Sequence, residues 1–439
     1  MADTLMAGGA KVAITPPIGS AFQSSRADLR VESVLHDLYA TAVVLSVGAQ
    51  KVAIVGMDVL GIDAPLVNAV RARVAAQTDI PATHVLINAA HNHFGPAIVR
   101  AMPDEIDETY YQGLVQSLAD AVTRADADLE PVALAVGDAE GTFAVNRRRL
   151  ENGTAQLAPN YEGNVDQRIR ALRFERLDGS VVAILFSGAF HPTGYAYRMP
   201  VVNGDYVAAA RQEVERQFAD RGAPAVGFLQ GCAGNMRVRV IAPGGTRFHP
   251  CSGEEIDAHG RGVGALAARA ARETHMVPGY PIAVAHELIS LPLKAPPSRA
   301  ELEDMLAKAK ASGDNYTQLW TGSMLARIQN DGSLPTSVDF PVQVMRIGGL
   351  WMVGLGAEMF LEIGQQIEAG LLADHVGQAA WTLGYSNDTL GYVCTEQSYD
   401  DGGYEPTRSY MFYHLPSPYQ PQAEHIVVDA ALRLGRSLM

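Results

Sequence analysis

The stretch Val85–Pro96, VLINAAHNHFGP, decides how this chain is read. Its first half is a short apolar run of the kind that forms a central strand, and it breaks off into His91-Asn92-His93 and a Gly-Pro turn. In open α/β sheets, ligands bind in the crevice outside the strand ends. Two histidines one residue apart at such an edge can present imidazoles to one metal or one substrate. A hydrogen-bonded structural pair looks the same locally, so the rest of the chain must decide between the two.

Working outward, the same local pattern recurs three times: a hairpin, then a helix, then a further strand. The first unit runs Leu38–Gly48, Lys51–Leu60, a helix at Leu66–Gln77, and the strand of the opening stretch. The second runs Ile169–Arg176, Val181–Phe190, a helix at Val207–Phe218, and Ala225–Leu229. The third runs Phe340–Ile347, Leu350–Leu355, a helix at Met359–Ala373, and Ala379–Leu383. The hairpins end at Asp58, His191 and Glu358, and the following strands run into His91 and His93, Gln230–Asn235, and Tyr385–Tyr392. The expected fold class is α/β, with mixed sheets flanked by helices and a site at the strand ends. Between the units, Val132–Phe143 reads as a strand running into Asn146-Arg147-Arg148-Arg149. Glu151–Asp166 reads as a polar loop, Pro297–Arg327 as one charged helical stretch, and Tyr399–Tyr419 as an aromatic, Pro-rich loop.

Strand ends on one edge converge, and here they supply His91, His93, His191, Glu358 and Tyr392. These are the donor types of a zinc site: imidazole nitrogens, a carboxylate and a further oxygen. The sequence separations are too long for any local motif. Each residue also has a plainer reading: His191 before Pro192 as a core histidine, Glu358 as a helix-start acid, Tyr392 as packing.

Composition narrows the function. The chain has 439 residues, 48% hydrophobic and 19% charged, ordinary for a large globular core. Its net charge of −14 argues against a nucleic-acid or anionic-lipid partner. Three scattered cysteines without a CxxC point away from a disulfide framework and fit a reducing, cytoplasmic setting. No signal-peptide pattern and no apolar run of membrane-spanning length is seen, so no membrane anchor is expected. No GxSxG is present, and Ser187 sits within a strand, which disfavours a serine nucleophile.

The order of these motifs resembles the N-terminal catalytic domain of the neutral (alkaline, non-lysosomal) ceramidases. The resemblance is carried by HNHFGP at 91–96, VNR at Val145–Arg147, the segment Asn164–Tyr195 with the second histidine, and GDY at Gly204–Tyr206. FLQGCAGN at Phe228–Asn235, LGAEMF at Leu355–Phe360 and GYVCTEQSYDDGGYE at Gly391–Glu405 follow in the family's order. The resemblance implies one zinc per chain held by His91, His191, Glu358 and Tyr392, with His93 and Arg147 either supporting those ligands or binding the substrate carbonyl. It also implies amide cleavage by zinc-activated water, with His93, Arg147 and Tyr392 as catalytic candidates. Asn235 and Arg237 stand where the family carries Asp and Ser. The family's C-terminal β-sandwich and secretory leader have no counterpart, so residues 1–439 are expected to form a single hydrolase domain.

The expected substrate is therefore a small, polar molecule contacted by Arg147, Asn235, Arg237 and Tyr385. An ester or lactone hydrolase using the same chemistry, and a non-catalytic metabolite-binding protein on the same scaffold, are the alternatives. The proton shuttle is open among His93, Tyr385, Tyr392 and Asp205. A homo-oligomer is compatible with the apolar, aromatic tail.

Overall fold

The computed structural model describes residues 4–23, 29–100, 105–195, 200–373 and 376–439. It is a mixed α/β structure. The largest sheet has the order Ala225–Gln230, Val181–Gly188, Arg168–Arg176, Glu130–Glu140, Met6–Ala13, Tyr39–Val47, Gln50–Met57 and Val85–Ala89, with His275–Val277 added beside Glu130–Glu140. A second sheet runs Ile282–Pro292, Ser337–Ile347, Leu350–Leu355 and Ala379–Leu383. Among the described residues, no helix is long and apolar enough to cross a membrane.

All three hairpin–helix–strand units are present. In each, the last strand lies parallel to the second strand of its hairpin: Val85–Ala89 beside Gln50–Met57, Ala225–Gln230 beside Val181–Gly188, and Ala379–Leu383 beside Leu350–Leu355. The intervening helices are Ala64–Gln77, Asp205–Gln217 and Leu361–Leu372. These parallel strands are buried on both faces, which is why they read as unbroken apolar runs. The helix starts carry their own signals. Asp63 accepts a hydrogen bond from the Leu66 amide, and Ser252 with Glu255 forms a reciprocal capping box on the helix Gly253–Arg272.

The large sheet folds back so that its two ends pack face to face. The Phe228 carbonyl oxygen lies 2.3 Å from where a Cβ on Gly56 would sit, so only glycine allows the approach. Asn88 joins the three units at this contact. Its amide donates to the Gln230 carbonyl (3.2 Å), the Gly384 carbonyl (2.7 Å) and Ser386 Oγ (3.1 Å), and its side-chain oxygen accepts from the Gln230 amide (2.7 Å). One buried side chain thus fixes the three strand ends relative to one another.

Two expectations are corrected. The segment after Glu151 is a strand: Ala144–Glu151 and Thr154–Asn160 form a hairpin, turning at Asn152-Gly153, both with positive φ. The stretch 297–327 is two helices, Arg299–Ser312 and Asn315–Asp331. The first ends at Gly313 in the left-handed region, and the second starts at Asp314, whose side chain accepts from the Thr317 amide.

Candidate active site

His91 follows the strand Val85–Ala89, and Tyr385 follows Ala379–Leu383, each two residues past its strand end. Both hold a left-handed backbone, with φ of 62° and 52°. A bulky residue adopts that conformation only when its surroundings enforce it. Here the reversal turns both rings inward, and they meet tilted by 33° with centroids 4.4 Å apart. His191 lies beyond Val181–Gly188, and its backbone bridges to Arg237. Glu358 starts a two-residue strand paired in parallel with Tyr392-Val393, which sets Glu358 opposite Tyr392. The third hairpin end, Asp58, is engaged elsewhere, in an ion pair with Arg211 at 2.6 Å.

At the centre, Glu358 Oε2 lies 3.1 Å from His91 Nε2 and 2.9 Å from His191 Nε2. The other nitrogen of each ring is accounted for by backbone. His91 Nδ1 bonds the Leu60 carbonyl (2.7 Å), and His191 Nδ1 bonds the Ala233 and Met236 carbonyls (2.8 and 2.9 Å). Carbonyls accept, so each Nδ1 carries the proton and each Nε2 turns a lone pair toward the carboxylate. Tyr392 Oη is 3.4 Å from His191 Nε2, and His93 Nε2 is 3.1 Å from His91 Nε2. The His91 and His191 lone pairs facing the Glu358 carboxylate at 3.1 and 2.9 Å need a cation or an extra proton between them. The edges of a tetrahedral zinc site with nitrogen and oxygen ligands are about 3.3 Å long, so the donor set fits that ion in both type and spacing. His93 enters the cluster more directly than expected, since the ring nitrogens of His91, His93 and His191 all lie within 4.8 Å of one another.

Burial governs the electrostatics. His91, His191 and Glu358 are each 1% exposed, whereas His93 is only half-buried and forms the open side. Burial, with the neighbouring Arg147 charge, pushes His191 down to about 3. Burial, then His91 and His191, holds His93 well below the usual imidazole range. Burial acts to raise the Glu358 carboxyl, but His91 and His191 outweigh it and hold it well below the usual carboxylate range. Burial pushes the Tyr385, Tyr392 and Tyr413 phenols well up. Burial thus favours the neutral forms of His93 and His191 and protonated phenols around the Glu358 carboxylate.

Arg147 is buried and donates from Nη2 to Tyr392 Oη (2.9 Å) and from Nε to Glu405 Oε1 (3.0 Å). Burial disfavours its charge, yet Tyr392, Glu405 and Glu358 more than offset this and raise its pKa. The arginine triplet is therefore no solvated loop. Arg148, one residue on, pairs with the other oxygen of Glu405, and only Arg149 lies toward solvent, held by Glu151.

Tyr385 Oη donates to Glu358 Oε2 at 3.2 Å, which makes it a carboxylate contact at the back of the cluster. Asn235, expected on the substrate side, has both ends of its amide engaged at the start of the helix Leu361–Leu372. It accepts from the Leu361 amide (2.9 Å) and donates to Glu362 (2.8 Å). Arg237 donates to the Thr193 carbonyl (2.6 Å) and covers the Phe248 ring. Asp205 accepts from the Gly194 and Tyr195 amides, which fixes the loop after His191. The sequence reading missed Tyr413, whose hydroxyl bonds Glu358 Oε1, and Glu405, which holds Arg147 and Arg148. A surface cavity of about 730 Å³ around Lys11, Glu130, Arg176 and Glu215 contains none of these residues.

Residues 25–276 match the family model described as neutral/alkaline non-lysosomal ceramidase, N-terminal. That span includes His91, His93, Arg147 and His191. No curated protein matches the chain. Among solved structures, the neutral ceramidase from Pseudomonas aeruginosa superposes with a TM-score of 0.76 at 18% identity, covering 100% of this chain and 75% of that one. A ceramidase complexed with C2 superposes with a TM-score of 0.75 at 18% identity, covering 99% of this chain and 75% of that one. At that identity the likeness shows the fold, and the family rests on the model match, which spans more than half of the chain. The chain belongs to the neutral/alkaline non-lysosomal ceramidase family.

Proposed function

We propose that this protein is a zinc-dependent hydrolase that cleaves an amide bond of a small, polar substrate with a metal-activated water. Membership of the family and its fold support a hydrolase acting on amide bonds. The observation that carries the metal reading is the convergence of His91 Nε2 and His191 Nε2 on Glu358 Oε2, with both Nδ1 protons already given to carbonyls. His91, His191 and Glu358 would hold the ion, with Tyr392 as the fourth donor. When bound, zinc supplies a Lewis acid that acidifies water and polarises the substrate carbonyl.

The protein's own groups do the rest. Arg147, kept charged by Glu405 and aimed at Tyr392, stands ready to offset negative charge growing on the carbonyl oxygen. His93 is neutral at physiological pH and lies on the open side. It can accept a proton from water and, being weakly basic, pass it to the leaving nitrogen. The backbone-fixed tautomers keep His91 and His191 from moving as charge shifts.

Metal analysis of the purified protein tests this reading, together with His91→Ala and His191→Ala. Each variant should lose about one equivalent of tightly held zinc and all hydrolysis while staying folded. Zinc content unchanged in both would sink it. A panel of amides, esters, lactones and ceramide, each with a chelator control, then addresses the substrate. Turnover of ceramide as fast as the best small amide would overturn the small, polar assignment.

A further inference from the structure

We propose that His249, Cys251 and Glu255 form a second site for a thiophilic divalent metal such as zinc, separate from the His91 cluster. Their donor atoms, one nitrogen, one sulfur and one carboxylate oxygen, all lie within 4.8 Å of one another. His249 Nε2 and Glu255 Oε1 are 3.5 Å apart, close to the roughly 3.4 Å edge expected between a nitrogen and an oxygen on one zinc. Two neutral or singly charged donors plus a thiolate suit the ion well: Cys251 as thiolate and Glu255 as carboxylate together balance a charge of two.

The scaffold fixes the donors before any metal arrives. His249 is held by its amide on the Val240 carbonyl (3.0 Å), at the open end of a turn closed by the Ile241–Phe248 bridge. The Cys251 amide bonds the Gly194 carbonyl (2.7 Å), and its backbone bridges Tyr195. Glu255 is oriented by the capping box: Oε2 accepts from the Ser252 amide (2.8 Å), and Oε1 is the oxygen that faces His249. The His249 and Glu255 side chains are 40% and 55% exposed, so both can swing the last ångström, while the buried thiol supplies the anchor.

The position gives the site a purpose. Gly194 and Tyr195 follow directly on the His191-Pro192-Thr193 run, so a metal here pins the loop that carries one imidazole of the main cluster.

Cobalt separates the two sites, because the His91 cluster offers only nitrogen and oxygen while Cys251 gives a cobalt–thiolate charge-transfer band. Titration of the metal-stripped full chain with Co²⁺ should bind about two ions, one of them raising that band. Cys251→Ser should abolish the band and leave the ion of the His91 cluster. His249→Ala, an exposed change that spares the core, should weaken the band's midpoint by about 100-fold or more, beyond the loss typical of groups that only orient a ligand. The double variant His91→Ala/His191→Ala should keep the band, so loss of the main cluster would not be mistaken for loss of this one. No band at saturation, a band surviving Cys251→Ser, or a midpoint unmoved by His249→Ala would each overturn the proposal.

Discussion

The hydroxyl of Tyr413 donates to Oε1 of Glu358, while Oε2 of the same carboxylate faces His91 and His191. The tail therefore holds Glu358 in a one-oxygen presentation. Tyr413→Phe should weaken zinc by about 10–100-fold, the range for groups that orient a metal ligand. Competition against a chelator of known affinity measures it, with thermal unfolding of the metal-free protein as the control for fold. Unchanged zinc affinity would show that Glu358 is oriented without Tyr413.

Asn88 should matter for stability more than its small side chain suggests. Asn88→Ala leaves the Gln230 amide and the Gly384 carbonyl without their partner in a fully buried place. Each unsatisfied group costs about 1–3 kcal/mol, so a total loss of about 3 kcal/mol is expected. The urea midpoint should fall with the slope unchanged. A midpoint equal to the parent protein's would mean that the strand ends are fixed by other contacts.

Asn235 separates a capping role from substrate contact. Replacing it with alanine removes the acceptor for the Leu361 amide and should cost about 1 kcal/mol, as for other lost helix caps. Denaturation should register that loss, while KM for the best substrate stays within twofold of the parent, roughly 0.4 kcal/mol or less. A large rise in KM with stability intact would return Asn235 to the substrate side.

Most of the architecture was legible because each unit carries local signals. The hairpins turn at glycines, the helix Ala64–Gln77 begins at the capping residue Asp63, and the doubly buried parallel strands are plain apolar runs. The hairpin Ala144–Asn160 escaped because its polar residues hide the alternation. Arg147 and Arg148 are buried only because Glu405, more than 250 positions away, pairs with both. Asn152-Gly153 was the available clue, a strong hairpin-turn dipeptide. Within the cluster, His91, His191 and Glu358 were readable from equivalent strand ends. Tyr413 was not, because the tail has no periodicity to place it, and only the tertiary fold brings it to Glu358.

Asp388 provides a pH test. Burial, with the nearby Asp63 charge, raises its carboxyl to about 7, against about 3.9 in the unfolded chain. The folded state holds this proton more tightly, so the contribution is fully present below about pH 4 and is lost as pH rises toward 7. Asp388→Asn keeps an oxygen for the Thr389 amide and removes the charge. The variant should be more stable than the parent by about 4 kcal/mol at pH 8, with the gap closing toward pH 4. A gap of the same size at both pH values would show that the carboxyl is not the cause.

The left-handed turn at His91 aims one imidazole at partners that are synthesised much later. A growing chain displays His91, His93 and His191 long before Glu358, Tyr392 and Tyr413 exist, and the His91 ring, held by the Leu60 carbonyl, meets Tyr385 only late. The His91–His191–Glu358 cluster is therefore assembled from residues spread across almost 270 positions of the chain.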